Sequence, residues 1–324
     1  MTRIYDRNVA EPAEEHRASP RAVGGVGPTI IPDRWLGAAM LAPSVLVFLA
    51  LLIFPLGYGI YTSFFRIDTL DLSTGGTFVG FENYLWLLGN EQFWHALKTS
   101  TMFSVVVVSL QIVLGTAVAL LLNSSFKGRT LVRGLILFPY MMPVVAVVLV
   151  WLLLYNAIFG VINYLIFSVG FIPRVDSIAW LANPTSAFIG VVLVAVWKYF
   201  PFVVVIVLAR LQVIPQDLYE AAKIDGAGPI SRFFDITLRE LRDVLLVVAL
   251  LRTIFIFNNF EIVYLMTHGG PMQATLTLPI LVYETALDGD RSFGRGSAIA
   301  VVMFAILMCV MTVYFRFLRK EDQK

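Results

Sequence analysis

The sequence is poor in the residues that carry most soluble chemistry. One cysteine, Cys309, and three histidines, His16, His95 and His268, occur in 324 residues. A lone cysteine excludes an internal disulfide and a multi-cysteine metal site, and within its apolar run the Cys309 thiol packs as a small hydrophobe. The histidines are far apart, and no two stand at the helical spacing of a metal-ligand pair. Charge is also scarce: 14% of residues are Asp, Glu, Lys or Arg, and 10 of those 46 charges lie in the first 35 residues. A net charge of +2 with no concentrated basic face excludes nucleic acid as a partner. No Gly-x-x-x-x-Gly-Lys-Ser/Thr loop is present, so the chain is expected to hold no ATP and no other cofactor.

Hydrocarbon takes the place of these groups. The apolar share is 58%, with a mean hydropathy of +0.81, against about 45–50% apolar in ordinary soluble domains. A membrane helix needs about 20 apolar residues to cross the bilayer. Residues 35–65 and 99–126 carry no charge, and 134–173 is charge-free for 40 residues, enough for one span and a short reentrant or interfacial helix. Residues 185–211 are apolar apart from Lys198 and Arg210, and 244–266 apart from Arg252 and Glu261; 296–315 is uninterrupted. These stretches predict an all-α polytopic membrane protein with six spans.

Lys and Arg mark cytoplasmic connections. Lys127, Arg129 and Arg133 follow the second span, Lys223, Arg232, Arg239 and Arg242 the fourth, and Arg316, Arg319, Lys320 and Lys324 the sixth, whereas the alternate connections hold one or two each. Both termini are therefore expected in the cytoplasm. Residues 1–34 are polar, contain five arginines and lack the apolar core of a cleaved signal, so they read as a disordered tail before a membrane domain at 35–318, with a second short tail at 319–324. No internal repeat is visible, which counts mildly against a secondary transporter.

The connection at 213–242 is more than a loop. Pro215 suits a helix start, Asp217 its positive end, and Leu218, Ala221, Ala222 and Ile224 fall on one face before Gly226 ends the turn. After Pro229, Ile230, Phe233, Phe234 and Leu238 recur at helical spacing. Two readings fit: the apolar faces pack on the ends of their own spans, or a partner protein covers them. A DNA-reading helix-turn-helix fails because over residues 211–243 six acidic residues outnumber four basic ones.

Tyr219-Glu220-Ala221-Ala222-Lys223-Ile224-Asp225-Gly226-Ala227, with Phe233, Ile236 and Leu238, resembles the EAA loop of membrane subunits of binding-protein-dependent ABC importers. Trp197-Lys198-Tyr199-Phe200-Pro201-Phe202, Phe257-Asn258-Asn259-Phe260 and Gly269-Gly270-Pro271 resemble the carbohydrate-uptake branch, close to the maltose-type permease. The family's prolines after the loop are replaced here by Arg239 and Asp243, which leaves the end of the second coupling helix open.

This resemblance implies a type I importer permease in a bacterial-type inner membrane. It would pair with a second permease, two cytoplasmic ABC ATPase subunits that bind the ATP, and an extracytoplasmic solute-binding protein. Glu220, Ala221, Ala222, Asp225 and Gly226 would couple to the ATPase: a carboxylate for a donor on the partner, small residues for close approach, a glycine for the turn.

Polar groups inside spans demand a reason, since a central charge costs about 2.5–3.5 kcal/mol. Lys198 stands beside Tyr199 and Pro201, whose missing N–H frees a carbonyl and predicts a bend near a cavity. Asn258 and Asn259 lie beside Phe255, Phe257 and Phe260. Lys198, Tyr199, Phe202, Asn258 and Asn259 are candidates for a carbohydrate path, Tyr199, Phe202 and Asn259 by resemblance. Hydrogen bonding or packing between helices is the competing role for each. Glu261 and Arg252 do not share a helix face, so each is expected to meet a polar group on another span. The outward segments with Tyr84, Trp86, Trp94 and Gly269-Gly270-Pro271 are candidate docking surfaces for the binding protein or interfacial anchors. The alternative function is an ion-coupled secondary transporter built on Lys198, Arg252 and Glu261.

Overall fold

The computed structural model describes residues 33–68 and 76–321. The expected N-terminal tail up to residue 32, and residues 322–324, lie outside the described residues. The chain divides into two compact units, 1–55 and 56–324. In the first, the helix Asp33–Phe48 runs through a π turn at Leu49–Ile53, and its described side chains are exposed and apolar, as lipid-facing ones are. Four helices are long and apolar enough to cross a membrane: Gly37–Thr62, Glu91–Asn123, Pro184–Leu211 and Phe293–Arg316. Two bent pairs, Arg129–Met141 with Val144–Leu154 and Pro229–Phe257 with Glu261–Thr267, complete six spans. They are numbered 1 to 6 in chain order below.

Spans 3 and 5 are broken, by 97° and 42°. Span 3 breaks at Met142-Pro143, where Pro143 can supply no N–H to continue the helix. Span 5 breaks at Asn258-Phe260. Pro201 does not break span 4, which runs helical from Pro184 to Leu211; the breaks lie in the neighbours that pack on it. The tail of the charge-free 134–173 run forms the short helix Val161–Ser168. Its buried Asn163 donates to the carbonyls of Ile178 (2.8 Å) and Ala157 (3.3 Å) and accepts from Trp180 Nε1 (2.7 Å), which pins that whole connection. The last helix continues to Glu321, past the boundary at 318 that hydropathy predicts, because no proline or glycine stops it.

Span 4 is the centre of the second unit. Its valines and alanines, among them Val191, Val194, Ala195, Val203, Val204 and Val207, are buried against spans 2, 3 and 5. In lipid no hydrophobic force separates one helix from its solvent, so association depends on close packing by small residues and on internal hydrogen bonds. Gly115 of span 2 shows the first: a Cβ there would lie 2.6 Å from Val203 Cβ. Gln111, also of span 2 and fully buried, shows the second. Its amide donates to the Ala195 carbonyl (3.1 Å) and accepts from Arg252 Nε (2.8 Å), tying spans 2, 4 and 5 at one point.

Between spans 1 and 2, Phe65–Arg66 and Thr77–Phe78 pair as a two-stranded antiparallel ribbon. Buried Asn83 donates to the carbonyls of Ser63 (2.8 Å) and Phe65 (2.9 Å) beside it. Tyr84 is engaged with Ser63 (2.6 Å), and the Trp86 ring faces the Arg295 guanidinium at 4.5 Å; Trp94, half exposed, donates to the Leu88 carbonyl. The segment after Gly269-Gly270-Pro271 tucks inward, with Thr275, Leu276 and Thr277 buried and Leu278 N–H donating to Ser100 Oγ (2.7 Å).

Gly115→Val should force spans 2 and 4 apart, an overpacking penalty of about 1–3 kcal/mol. The expected result is a lower unfolding temperature in detergent, while Gly134→Ala, where an added Cβ meets nothing within 4 Å, lowers nothing.

Candidate functional site

The two broken spans open on one cavity of about 550 Å³ beside span 4. Tyr140 comes from the first half of span 3, Tyr199 and Phe202 from span 4, and Arg252, Phe255 and Ile256 from the first half of span 5. Asn258, Asn259, Phe260 and Glu261 line it from the break in span 5. Of the five candidates on the expected path, four therefore share this cavity. Lys198 does not line it. Its ammonium turns behind the wall, to the carbonyls of Met142 (2.6 Å), Pro139 (3.2 Å) and Tyr140 (3.4 Å) at the break in span 3.

The walls are largely aromatic, with Arg252, Asn258, Asn259 and Glu261 among them. The Tyr140 ring lies 6.4 Å from Tyr199 and 6.2 Å from Phe202, and Phe260 continues into a stack with Tyr264 at 4.7 Å. Arg252 is 4% exposed; its guanidinium sits 4.8 Å from the Tyr199 ring and 5.5 Å from Phe202, with Nε on Gln111 and Nη2 without a partner. Asn259 donates to the Tyr199 hydroxyl (3.5 Å), and its Oδ1 is unpartnered. Asn258 donates from its side chain to the Ile254 carbonyl (2.8 Å), which also accepts the Asn258 backbone N–H (3.3 Å). An aromatic surface lined also by Arg252, Asn258, Asn259 and Glu261 can hold a polyhydroxylated ring by stacking and hydrogen bonds; Arg252 Nη2 and Asn259 Oδ1 are themselves buried. Arg252 does meet a polar group on another span; Glu261 stands exposed at the cavity rim.

Tyr140, Phe255, Ile256 and Phe260 are absent from the candidates that residue type and resemblance select, and Arg252 and Glu261 enter there only through the ion-coupled alternative. Two prolines four residues apart, Pro139 and Pro143, within the charge-free run were the available signal for Tyr140. Partners on other spans have no signal in one sequence.

The 213–242 connection holds the second group of candidates. The helix Gln216–Ile224 ends as spacing predicts: Gly226 takes φ +81°, its N–H bonds the Lys223 carbonyl and the Ala227 N–H the Ala222 carbonyl. Pro229 then starts a helix that runs on as Pro229–Phe257, through a π turn at Phe233–Thr237. With Arg239 and Asp243 in place of prolines, nothing ends the second coupling helix before span 5. Tyr219 meets Thr237 (3.0 Å), and Arg210 binds Glu240 through the carboxylate (2.7 Å) and the carbonyl (3.1 Å), joining the connection to spans 4 and 5. The first reading, packing on the ends of its own spans, holds for only part of the apolar residues. Ile214, Leu241 and, at the edge, Tyr219 and Ile236 pack inward, while Ile224 (86% exposed), Ile230 (75%), Phe234 (59%) and Leu218 stay outside beside exposed Glu220, Ala221 and Asp225.

Residues 111–322 match the family described as binding-protein-dependent transport system inner membrane component. The chain belongs to this family. The trehalose/maltose transport system permease protein MalF of Thermococcus litoralis is 39% identical, over 87% of the chain and 92% of that protein. The sulfoquinovosyl glycerol permease SmoG of Agrobacterium fabrum is 36% identical over 90% and 92%. The diacetylchitobiose permease DasB of Streptomyces coelicolor is 35% identical over 88% and 87%. A solved bacterial alginate ABC transporter, in complex with an alginate pentasaccharide-bound periplasmic protein, superposes with a TM-score of 0.76 at 22% identity, covering 89% of this chain and 95% of that one. The fold is therefore that of an importer permease.

Gln111→Leu leaves the buried Arg252 without its acceptor, which should destabilise the folded chain by about 2–4 kcal/mol. Thermal unfolding in detergent should show this loss, and Gln111→Leu with Arg252→Met should recover most of it.

Proposed function

We propose that this permease forms one half of the translocation path for a carbohydrate, held in the cavity between the broken spans. The observation that carries the reading is the cavity itself: aromatic walls from Tyr140, Tyr199, Phe202, Phe255 and Phe260, with Arg252, Asn258, Asn259 and Glu261 among them, between the two broken spans. Relatives named for trehalose/maltose, sulfoquinovosyl glycerol and diacetylchitobiose support a saccharide. Energy comes from two cytoplasmic ATPase subunits that bind the ATP and grip Glu220, Ala221, Ala222, Asp225 and Gly226. The exposed Ile224, Ile230 and Phe234 give that contact its apolar part. A second permease completes the path, and an extracytoplasmic binding protein delivers the sugar at the outer face; the excess of Lys and Arg after the second, fourth and sixth spans supports both termini in the cytoplasm. Family membership favours this over an ion-coupled carrier.

The first test is purification of the chain from its native membrane with whatever accompanies it. Recovery of an ATPase, a second permease and a solute-binding protein is expected. ATP hydrolysis by that complex in proteoliposomes is then measured with trehalose, maltose, sulfoquinovosyl glycerol and diacetylchitobiose. At least one sugar should stimulate it, and Glu220→Ala or Gly226→Pro should abolish the stimulation with membrane insertion intact. Normal stimulation in both variants, or solute uptake by the chain alone, would overturn the coupling role.

A further inference from the structure

The break in span 3 leaves carbonyls that the helix cannot serve. In a continuing helix the Pro139 carbonyl would accept from the N–H of residue 143, but that residue is proline. The Tyr140 carbonyl would accept from residue 144, but Met142 is extended (ψ 142°) and the chain has turned away by 97°. Hydrocarbon offers no replacement.

Lys198 reaches the break from span 4. It is 3% exposed, and an ammonium group has three N–H donors and no acceptor. Three carbonyls meet it: Met142 at 2.6 Å, Pro139 at 3.2 Å and Tyr140 at 3.4 Å. None of the ion pairs among the described residues includes Lys198. A cation also suits the spot, since the carbonyl end of a helix is partially negative. Tyr140 gives its carbonyl to this contact and its ring to the cavity, and the ammonium lies 5.4 Å from the neighbouring Tyr199 ring.

We propose that Lys198 is a positioning residue for transport: by closing the broken end of span 3 it holds the Tyr140 ring in the cavity wall, and the substrate does not contact it. The inference rests on the cavity being the carbohydrate site. It accounts for a buried lysine beside that cavity without requiring an anionic substrate.

The test is a double-mutant cycle on the intact complex in proteoliposomes, measuring uptake of the radiolabelled panel sugar that best stimulates ATP hydrolysis. Lys198→Met and Tyr140→Ala should each slow uptake by about tenfold, and the double variant should be no slower than either, the non-additivity of residues acting as one unit. Lys198→Arg, which keeps the charge and the donors, should recover most of the rate. If Lys198→Met does not assemble, Lys198→Gln takes its place in the same cycle. Single losses that multiply in the double variant, or no loss in Tyr140→Ala, would overturn the positioning role while leaving the cavity reading intact. A wild-type complex that moves none of the panel sugars would overturn the cavity reading and this proposal with it.

Discussion

Hydrocarbon supplies no hydrogen bonds, and two of the six spans are broken inside it. Each break strands backbone groups that cost several kcal/mol apiece if left alone. The rest of the bundle follows from where their partners come from. Span 4 lies beside both breaks and supplies Lys198 to the one in span 3, while at the span 5 break the backbone N–H groups of Asn258 and Asn259 close the last turn on the Ile254 and Ile256 carbonyls. Gln111 holds spans 4 and 5 to span 2 at nearly the same level.

The cavity and the connection at 213–242 are two ends of one rigid element. The helix Pro229–Phe257 starts beside the exposed Ile230 and Phe234 and finishes at Phe255, Ile256 and the Asn258 break. From Phe234 to Arg252 the helical rise amounts to roughly 27 Å. Where prolines would have divided a coupling helix from the span, Arg239 and Asp243 let the helix continue, and the only irregularity is the π turn at Phe233–Thr237. A push on the exposed face, in the proposed mechanism the closing of the ATPase subunits, reaches the cavity wall without crossing a flexible joint. Arg210 with Glu240 ties span 4 to the same helix.

Much of this was legible in the residues. Charge-free runs located the spans, because a membrane admits few other patterns. Gly226 announced a helix stop, and it takes the left-handed conformation that glycine adopts freely. Tyr199, Phe202, Asn258 and Asn259 were selected by residue type and by resemblance, and the fold places them around one cavity. Lys198 was selected with them and stands elsewhere, since a sequence shows that a buried lysine needs acceptors but not whose they are.

The sequence by itself determined composition-level and local facts: six apolar segments, membership of a permease family written in the 197–271 motifs, and helix ends set by glycine and proline. Those depend on neighbours along the chain, or on hydrocarbon as the common solvent. Only the tertiary structure decided that span 4 would stay helical through Pro201 while span 3 broke at Pro143, that Arg252 would find Gln111 from 141 residues away, and that Tyr140 would join the cavity. Each of these is a choice of partner across helices. A span satisfies its own backbone but cannot specify which other helix completes its breaks and its charges.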